Sequence, residues 1–404
     1  MNKFKEINVS DELISILNSS GIKQPTPIQT EAIPLIKNGN DLIAQAQTGT
    51  GKTLAFLLPI FENMKSDDKN IQTLIITPTR ELALQITEAA QKLNTSNKFN
   101  ILSTYGGKEI SGQIEKLSNN TQMVIGTPGR LLDHIRRKTI DLTKIKTLVL
   151  DEADQMLLMG FRNEIDAIIE VSNKKRQTLC FSATIDSAVK KLAYRICKDP
   201  KIVVIESEDV TLKNIDQFLI ETTDRRKLDM LAQVLNKTNP FMAIIFCRTK
   251  VRVDNLEEAL FAKGFSCQKL HSDIPQAKRE KIMKSFKNVE FQYLIATDVA
   301  ARGLDITGIT HIYNYDIPEN AEGYIHRIGR TGRAGENGQT YLFIDPKDMK
   351  TLEAIEENIK MEIPRLELEY IQNIVCENEL PKTKYNKRIN SRSKKAEDIR
   401  KMYK

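Results

Sequence analysis

The strongest constraint on the fold is the string Ala46-Gln47-Thr48-Gly49-Thr50-Gly51-Lys52-Thr53, which follows the apolar run Asp41 to Ala44 and leads into a helix-like stretch. A Gly-rich turn can wrap phosphates with backbone N–H groups where it joins a strand to a helix N-terminus. The string therefore calls for strand, loop and helix in that order. It departs from the general GxxxxGKS/T form in having Ala46 at the first glycine position. Further along, the apolar run Thr147 to Leu150 ends in Asp151-Glu152-Ala153-Asp154. Adjacent carboxylates at a strand end suit metal coordination and water activation. Lys52 is then the expected partner of β- and γ-phosphate charge, Thr53 and Asp151 the expected Mg²⁺ ligands, and Glu152 the expected base. Together the two segments imply a triphosphatase acting on ATP or GTP.

Short apolar runs alternate with helix-like stretches along the chain. In the first half they are Asp41 to Ala44, Thr73 to Thr77, Asn100 to Tyr105, Met123 to Gly126, Thr147 to Leu150 and Thr178 to Phe181. Most are rich in Ile, Val and Leu and end at Gly, Pro, Thr or Asp, as buried parallel strands with functional C-terminal ends do. After a polar stretch around Glu206 to Asn214 the rhythm restarts with Phe241 to Phe246, Ser266 to Leu270, Tyr293 to Ala296, His311 to Asn314 and Thr340 to Ile344. The expected fold is α/β, with two tandem doubly wound parallel-sheet domains and the nucleotide in the cleft between them.

A chain of 404 residues with 40% hydrophobic content can bury two cores. It has no run of eighteen apolar residues and no signal-peptide core at its start, so a soluble, cytoplasmic protein is expected. The five cysteines, Cys180, Cys197, Cys247, Cys267 and Cys376, include no CxxC pair. That argues against disulfides and zinc and for small buried residues. Lys382 to Lys404 holds ten basic and two acidic residues, so this tail, at +8, accounts for the whole net charge of +7. It fits either a flexible arm on a polyanion or a solubilising end.

The second half also supplies His326-Arg327-Ile328-Gly329-Arg330-Thr331-Gly332-Arg333. On a helical turn the spacing of Arg330 and Arg333 places both guanidinium groups on one face, suited to grasping phosphate oxygens as charge develops. A basic cluster is more often a solvated face or a nucleic-acid contact, but three arginines interleaved with glycines in eight residues, one lobe away from a phosphate loop, favour arginine fingers.

Further ordered segments carry a family resemblance. They are Gly21-Ile22-Lys23-Gln24-Pro25-Thr26-Pro27-Ile28-Gln29, Pro78-Thr79-Arg80-Glu81-Leu82, Gly106-Gly107, Thr127-Pro128-Gly129-Arg130, Ser182-Ala183-Thr184 and Ala296-Thr297-Asp298 running on to Arg302-Gly303-Leu304-Asp305. With the phosphate loop, the Asp-Glu-Ala-Asp string and the arginine string, the chain resembles the DEAD-box ATP-dependent RNA helicases from about Phe4 to about Gly338.

The resemblance implies two RecA-like domains, residues 1–206 and 214–380, a linker at 207–213 and a basic tail at 381–404. It implies that Phe4 stacks on adenine and Gln29 reads its edge, favouring ATP, while Gly303 and Asp305 approach the γ-phosphate and ribose. Asp154, Ser182, Thr184 and Arg327 would couple the carboxylate site to the lobe boundary, with His326 reaching across. RNA contacts would come from Thr79, Arg80, Gly107, Thr127, Gly129 and Arg130 in the first lobe and Arg248, Gln276, Arg279 and Thr297 in the second. Gly107 and Gly129 also fit simple tight turns. Small residues approaching phosphate and ribose imply sequence-tolerant binding.

The implied action is local separation of short duplexes when ATP and RNA close the lobes, with hydrolysis reopening them. An ATP-gated RNA clamp would use the same residues. The compact form is similar to bacterial members, which implies ribosome assembly, RNA turnover or cold adaptation, with ribosomal or RNA-decay proteins as partners.

Overall fold

The computed structural model describes residues 3–47, 49–95, 97–107, 109–118, 120–205, 214–301, 306, 308–332 and 337–366. Thr48, the linker 207–213, Gly303, Asp305, Arg333, Cys376 and the basic tail lie outside them.

Seven strands form the first sheet: β1 (Leu42–Gln45), β2 (Thr73–Ile76), β3 (Ile101–Thr104), β4 (Met123–Gly126), β5 (Thr147–Leu150), β6 (Gln177–Ser182) and β7 (Lys201–Val204). Their order is β3-β4-β2-β5-β6-β1-β7, and every pair is parallel. The second sheet contains β8 (Ile215–Glu221), β9 (Ala243–Phe246), β10 (Cys267–Leu270), β11 (Tyr293–Ala296), β12 (His311–Asn314) and β13 (Gly338–Ile344). It is also parallel, in the order β10-β11-β9-β12-β13-β8.

The strand period of two explains why the apolar runs are continuous. Leu42, Ala44, Ile75 and Val149 enter one core cluster, whereas Ile43, Leu74, Ile76, Leu148 and Leu150 enter another on the opposite face. Each of the Ile, Leu and Val side chains, fully buried, stabilises by roughly 1.5–3 kcal/mol. The second sheet repeats the scheme, with Ile245 and Ile295 on one face and Ile244 and Leu294 on the other. Cys180, Cys197, Cys247 and Cys267 are free and buried, and burial pushes the Cys180 and Cys267 thiols up to about 12. They are core residues, as expected.

Two strands, β7 and β8, escape the sequence pattern, and each is the edge of its sheet. β7 buries only Val203, with Ile202 and Val204 exposed. In β8 the inward face includes Gln217, whose Oε1 accepts from the Tyr324 hydroxyl at 2.7 Å, so a polar letter stands where a core residue belongs. Among the described residues no helix is long and apolar enough to cross a membrane.

Candidate functional site

The sheet order sets β5, β6 and β1 side by side, so three loops meet at their C-terminal ends. Such an edge is where an open α/β sheet binds its ligand. After β1 the loop turns at Gly49 (φ +84°) and Gly51 (φ +93°) before the helix Lys52–Asn63. The Ala46 N–H donates to the Ser182 carbonyl at 3.0 Å, fixing the loop to the end of β6. Lys52 is 6% exposed, and among the described residues its ammonium has no hydrogen-bond partner. A buried cation in that state is costly unless an anion completes it, so the site fits a phosphate.

After β5, Asp151 and Glu152 are buried, and Asp151 Oδ1 accepts from the Glu152 N–H at 3.0 Å. Burial pushes both carboxyls above their ordinary values, and Lys52 opposes the rise at both. Glu152 takes left-handed dihedrals (φ 56°, ψ 52°), a conformation that L residues adopt at a cost of about 1–2 kcal/mol. Strain of this kind is tolerated where a side chain must be aimed. The Asp151 carboxylate and the hydroxyl of the half-buried Thr53, which follows Lys52, are oxygen donors of the type that suits Mg²⁺.

Gln29 belongs to the same pocket. Its Oε1 accepts from the Thr26 N–H at 3.0 Å and its Nε2 donates to the Gly51 carbonyl at 3.0 Å, so it ties the N-terminal segment to the phosphate loop. Each atom of the amide keeps further hydrogen-bonding capacity. Phe4 has no exposed surface and packs in the core. Stacking on a base would require the side chains covering it to move.

The second lobe meets this site directly. Gln155 Nε2 lies 3.2 Å from His326 Nδ1, and the Thr184 hydroxyl lies 3.0 Å from Glu322 Oε1 and 3.4 Å from Asp154 Oδ2. Asp154 is fixed by Ser182, whose Oγ accepts the Asp154 N–H at 3.2 Å. Arg330 is buried and its guanidinium opposes the rise in the Glu152 pKa. The helical-turn expectation for Arg330 fails. The helix Ala321–Ile328 ends before it at the Gly329 cap, and Gly332 is left-handed. Arg330 thus lies on a turn beyond the helix. Arg327 faces into its own lobe, donating to Asp298 at 2.5 and 2.7 Å.

A second contact lies on the other rim. Arg80 Nη1 donates to Gln276 Oε1 at 2.9 Å, and Arg279 pairs with Glu81 Oε1 at 2.6 Å. Gly107 (φ +88°) lies against Arg80 and Gln276, where a Cβ would clash, so its turn serves a close approach. Gly129 is different: it is in the helix Pro128–Arg136 and a Cβ there would meet nothing within 4 Å, so the tight-turn reading does not hold. Burial and the neighbouring Arg279 and Arg130 draw the Arg80 pKa down, which places three guanidinium groups in one region. Thr79 and Thr127 are buried helix N-caps, and Thr297 is also buried. Glu81, Gln155 and Glu322 were given no role from sequence. Only Glu322 carries a positional signal, four residues before His326 on the same helix face.

Residues 26–192 match the DEAD/DEAH box helicase family and residues 226–335 the helicase conserved C-terminal domain. The chain is 45% identical over 363 residues to the DEAD-box ATP-dependent RNA helicase CshA of Bacillus subtilis, covering 90% of this chain and 74% of that protein. The chain belongs to the DEAD-box ATP-dependent RNA helicases. It is therefore an ATP-hydrolysing enzyme. This helicase superposes on S. cerevisiae Dbp5 bound to RNA and ADP BeF3 with a TM-score of 0.82 at 31% identity, covering 91% of this chain and 96% of that one. Against a Dbp5 variant bound to Nup159, Gle1, IP6 and ADP the TM-score is 0.63 at 30% identity, with 91% and 98% covered. The likeness is thus greater to the RNA-bound Dbp5 than to the one bound to Nup159 and Gle1.

Gly51 offers a direct test of the loop in this helicase. A Cβ there would lie 2.5 Å from Gln29 Nε2 and 2.9 Å from Thr26 Oγ1, at φ +93°. Left-handed strain of about 1–2 kcal/mol, added to that clash, should weaken ATP binding roughly tenfold or more in Gly51→Ala. Titration with a fluorescent ATP analogue measures this, and unchanged affinity would remove the Gln29 to Gly51 contact from nucleotide binding.

Proposed function

We propose that ATP and RNA bind together across the two lobes, and that hydrolysis and phosphate release reopen them. The observation that carries this reading is the unpartnered Lys52 ammonium beside Asp151 and Glu152, with Arg330 delivered from the other lobe. Lys52 binds the β and γ phosphates, with the loop residues Ala46 to Thr53 around them. Glu152 accepts the proton of the attacking water, and Arg330 stabilises charge developing on the γ-phosphate. Arg333, Gly303 and Asp305 join this site by family resemblance. Thr53 and Asp151 would hold Mg²⁺, which when bound neutralises phosphate charge. His326 and Thr184 register the closed state through Gln155 and Glu322.

RNA lies along the rim that gathers Arg80, Arg130 and Arg279. Like charges held close there favour a phosphate backbone, with Thr79, Gly107, Thr127, Gly129, Arg248, Gln276 and Thr297 beside it. None of these supplies an evident base-edge code, so binding tolerates sequence. RNA bent into this closed cleft separates short duplexes locally. The chain acts as two domains, 1–206 and 214–380, and its basic tail adds non-specific affinity. Its work would lie in RNA turnover, ribosome assembly or cold adaptation, the processes that the resemblance to bacterial members implies.

Steady-state ATPase with no nucleic acid, with single-stranded RNA and with DNA of matching sequence tests the reading. Stimulation by RNA alone is the expected result. Equal stimulation by DNA would make the enzyme a general helicase, and none would favour a partner-dependent clamp.

A further inference from the structure

We propose that Asp316 is a positioning residue that sets Arg248 for RNA and ties it to the helix carrying His326. The proposal rests on the reading of Arg248 as an RNA contact. Asp316 stands just past the end of β12 and is 6% exposed. One carboxylate oxygen, Oδ2, accepts the Arg248 N–H at 2.9 Å and Arg252 Nε at 2.8 Å. The other, Oδ1, lies 2.7 Å from Arg252 Nη2 and 3.9 Å from Lys227 Nζ. The backbone carbonyl of Asp316 accepts from Arg327 Nη1 at 2.6 Å. One residue therefore touches both the strand end that presents Arg248 and the arginine next to His326.

Lys227 shows that this network is built around charge. It is 2% exposed, with its ammonium also 3.7 Å from Asp224 and 5.7 Å from the centre of the Tyr315 ring. Arg252 lies over the same ring at 5.3 Å. Burying such a group costs free energy that a well-packed apolar side chain would not. The network is thus a poor device for stability alone. What it provides is direction. Arg248, its side chain nearly half exposed, is held at both ends: its backbone N–H by Asp316, and its Nη2 by the Ile317 carbonyl at 3.3 Å with Asp348 Oδ1 at 4.0 Å. On the far side Arg327 is held by Asp298, Asn314 and Asp316 together. A displacement of Arg248 by RNA would reach the His326 helix through this one residue.

Asparagine at 316 removes the charge and sets an amide NH₂ in place of one carboxylate oxygen, where it faces Arg252 Nη2 or, turned over, the Arg248 N–H and Arg252 Nε, so the charge-assisted hold on Arg248 is weakened in either orientation. With full-length protein, a non-hydrolysable ATP analogue and a fluorescent single-stranded oligouridylate, Asp316→Asn should raise the RNA Kd roughly tenfold, as expected for a lost charge-assisted hydrogen bond. Arg248→Ala should do the same, and the double variant should be no weaker than either single one. Additive losses would overturn the proposal. If Arg248→Ala alone leaves RNA affinity unchanged, the RNA-contact reading of Arg248 fails and takes the proposal with it. Loss of stability is separated by Lys227→Met/Asp316→Asn, which removes the orphaned buried charge. The proposal expects that pair to recover Tm while RNA Kd stays raised and the ATP KM stays as in the parent; recovery of RNA affinity together with Tm would reduce Asp316 to a structural residue.

Discussion

Arg330→Ala is expected to lower RNA-stimulated ATP hydrolysis by roughly 10³- to 10⁵-fold, the range that removal of an arginine finger produces in phosphoryl transfer. The argument begins with position. Arg330 is 6% exposed, lies past the end of the helix Ala321–Ile328, and donates from Nε to the His326 carbonyl at 3.2 Å. Its charge is felt at Glu152, which belongs to the other lobe. A guanidinium held in a site with little water interacts with developing phosphate charge more strongly than one in solution. It is also present only when the lobes are set as they are here. Hydrolysis should therefore fall while binding of ATP to the first lobe, through Lys52 and Gln29, changes little. Single-turnover hydrolysis at saturating RNA, beside a nucleotide titration, separates the two effects. An unchanged hydrolysis rate would remove Arg330 from the site.

Those residues differ in how readily the sequence revealed them. The phosphate loop and the carboxylates were legible because each follows a buried strand whose apolar run is uninterrupted, and strand ends in a parallel sheet point their loops at one edge. The position of Arg330 was less legible. A spacing of three reads as one helix face, but the helix ends at Ile328 with Gly329 as its cap, and Arg330 lies on the turn beyond it. The edge strands β7 and β8 were hidden for a related reason: an edge is solvated on one side, so Ile202 and Val204 stay exposed. Inter-lobe partners were hardest to see. Glu81 finds Arg279, and Gln155 finds His326, only through the placement of two separately folded sheets, for which no local periodicity exists. The same holds for Asp316 and Lys227. Their significance lies in contacts among the ends of β9 and β12 and the helices Lys227–Thr238 and Lys250–Ala262, not in any spacing along the chain.

Glu152→Gln should leave ATP and RNA bound but slow hydrolysis by roughly 10²- to 10⁴-fold, the usual contribution of a general base. Glutamine keeps the size and hydrogen-bonding reach of the side chain, so the phosphate loop and the lobe contacts need not change. It cannot accept the proton of the attacking water. Because product release is what would reopen the lobes, the variant should remain on RNA far longer than the parent enzyme. The structure adds an expectation about stability. Glu152 is buried, and both Asp151 and Asp154 add to the burial that raises its pKa. Removing its charge relieves like-charge crowding in a site of low polarity, so the nucleotide-free variant should melt at the same temperature as the parent or higher. A thermal shift with RNA dissociation kinetics tests both statements at once. Long residence on RNA with intact stability fits a base that acts only in chemistry. A variant that melts earlier would mean that the ionised Glu152 holds the strained turn after β5 together, and normal turnover would overturn the base assignment itself.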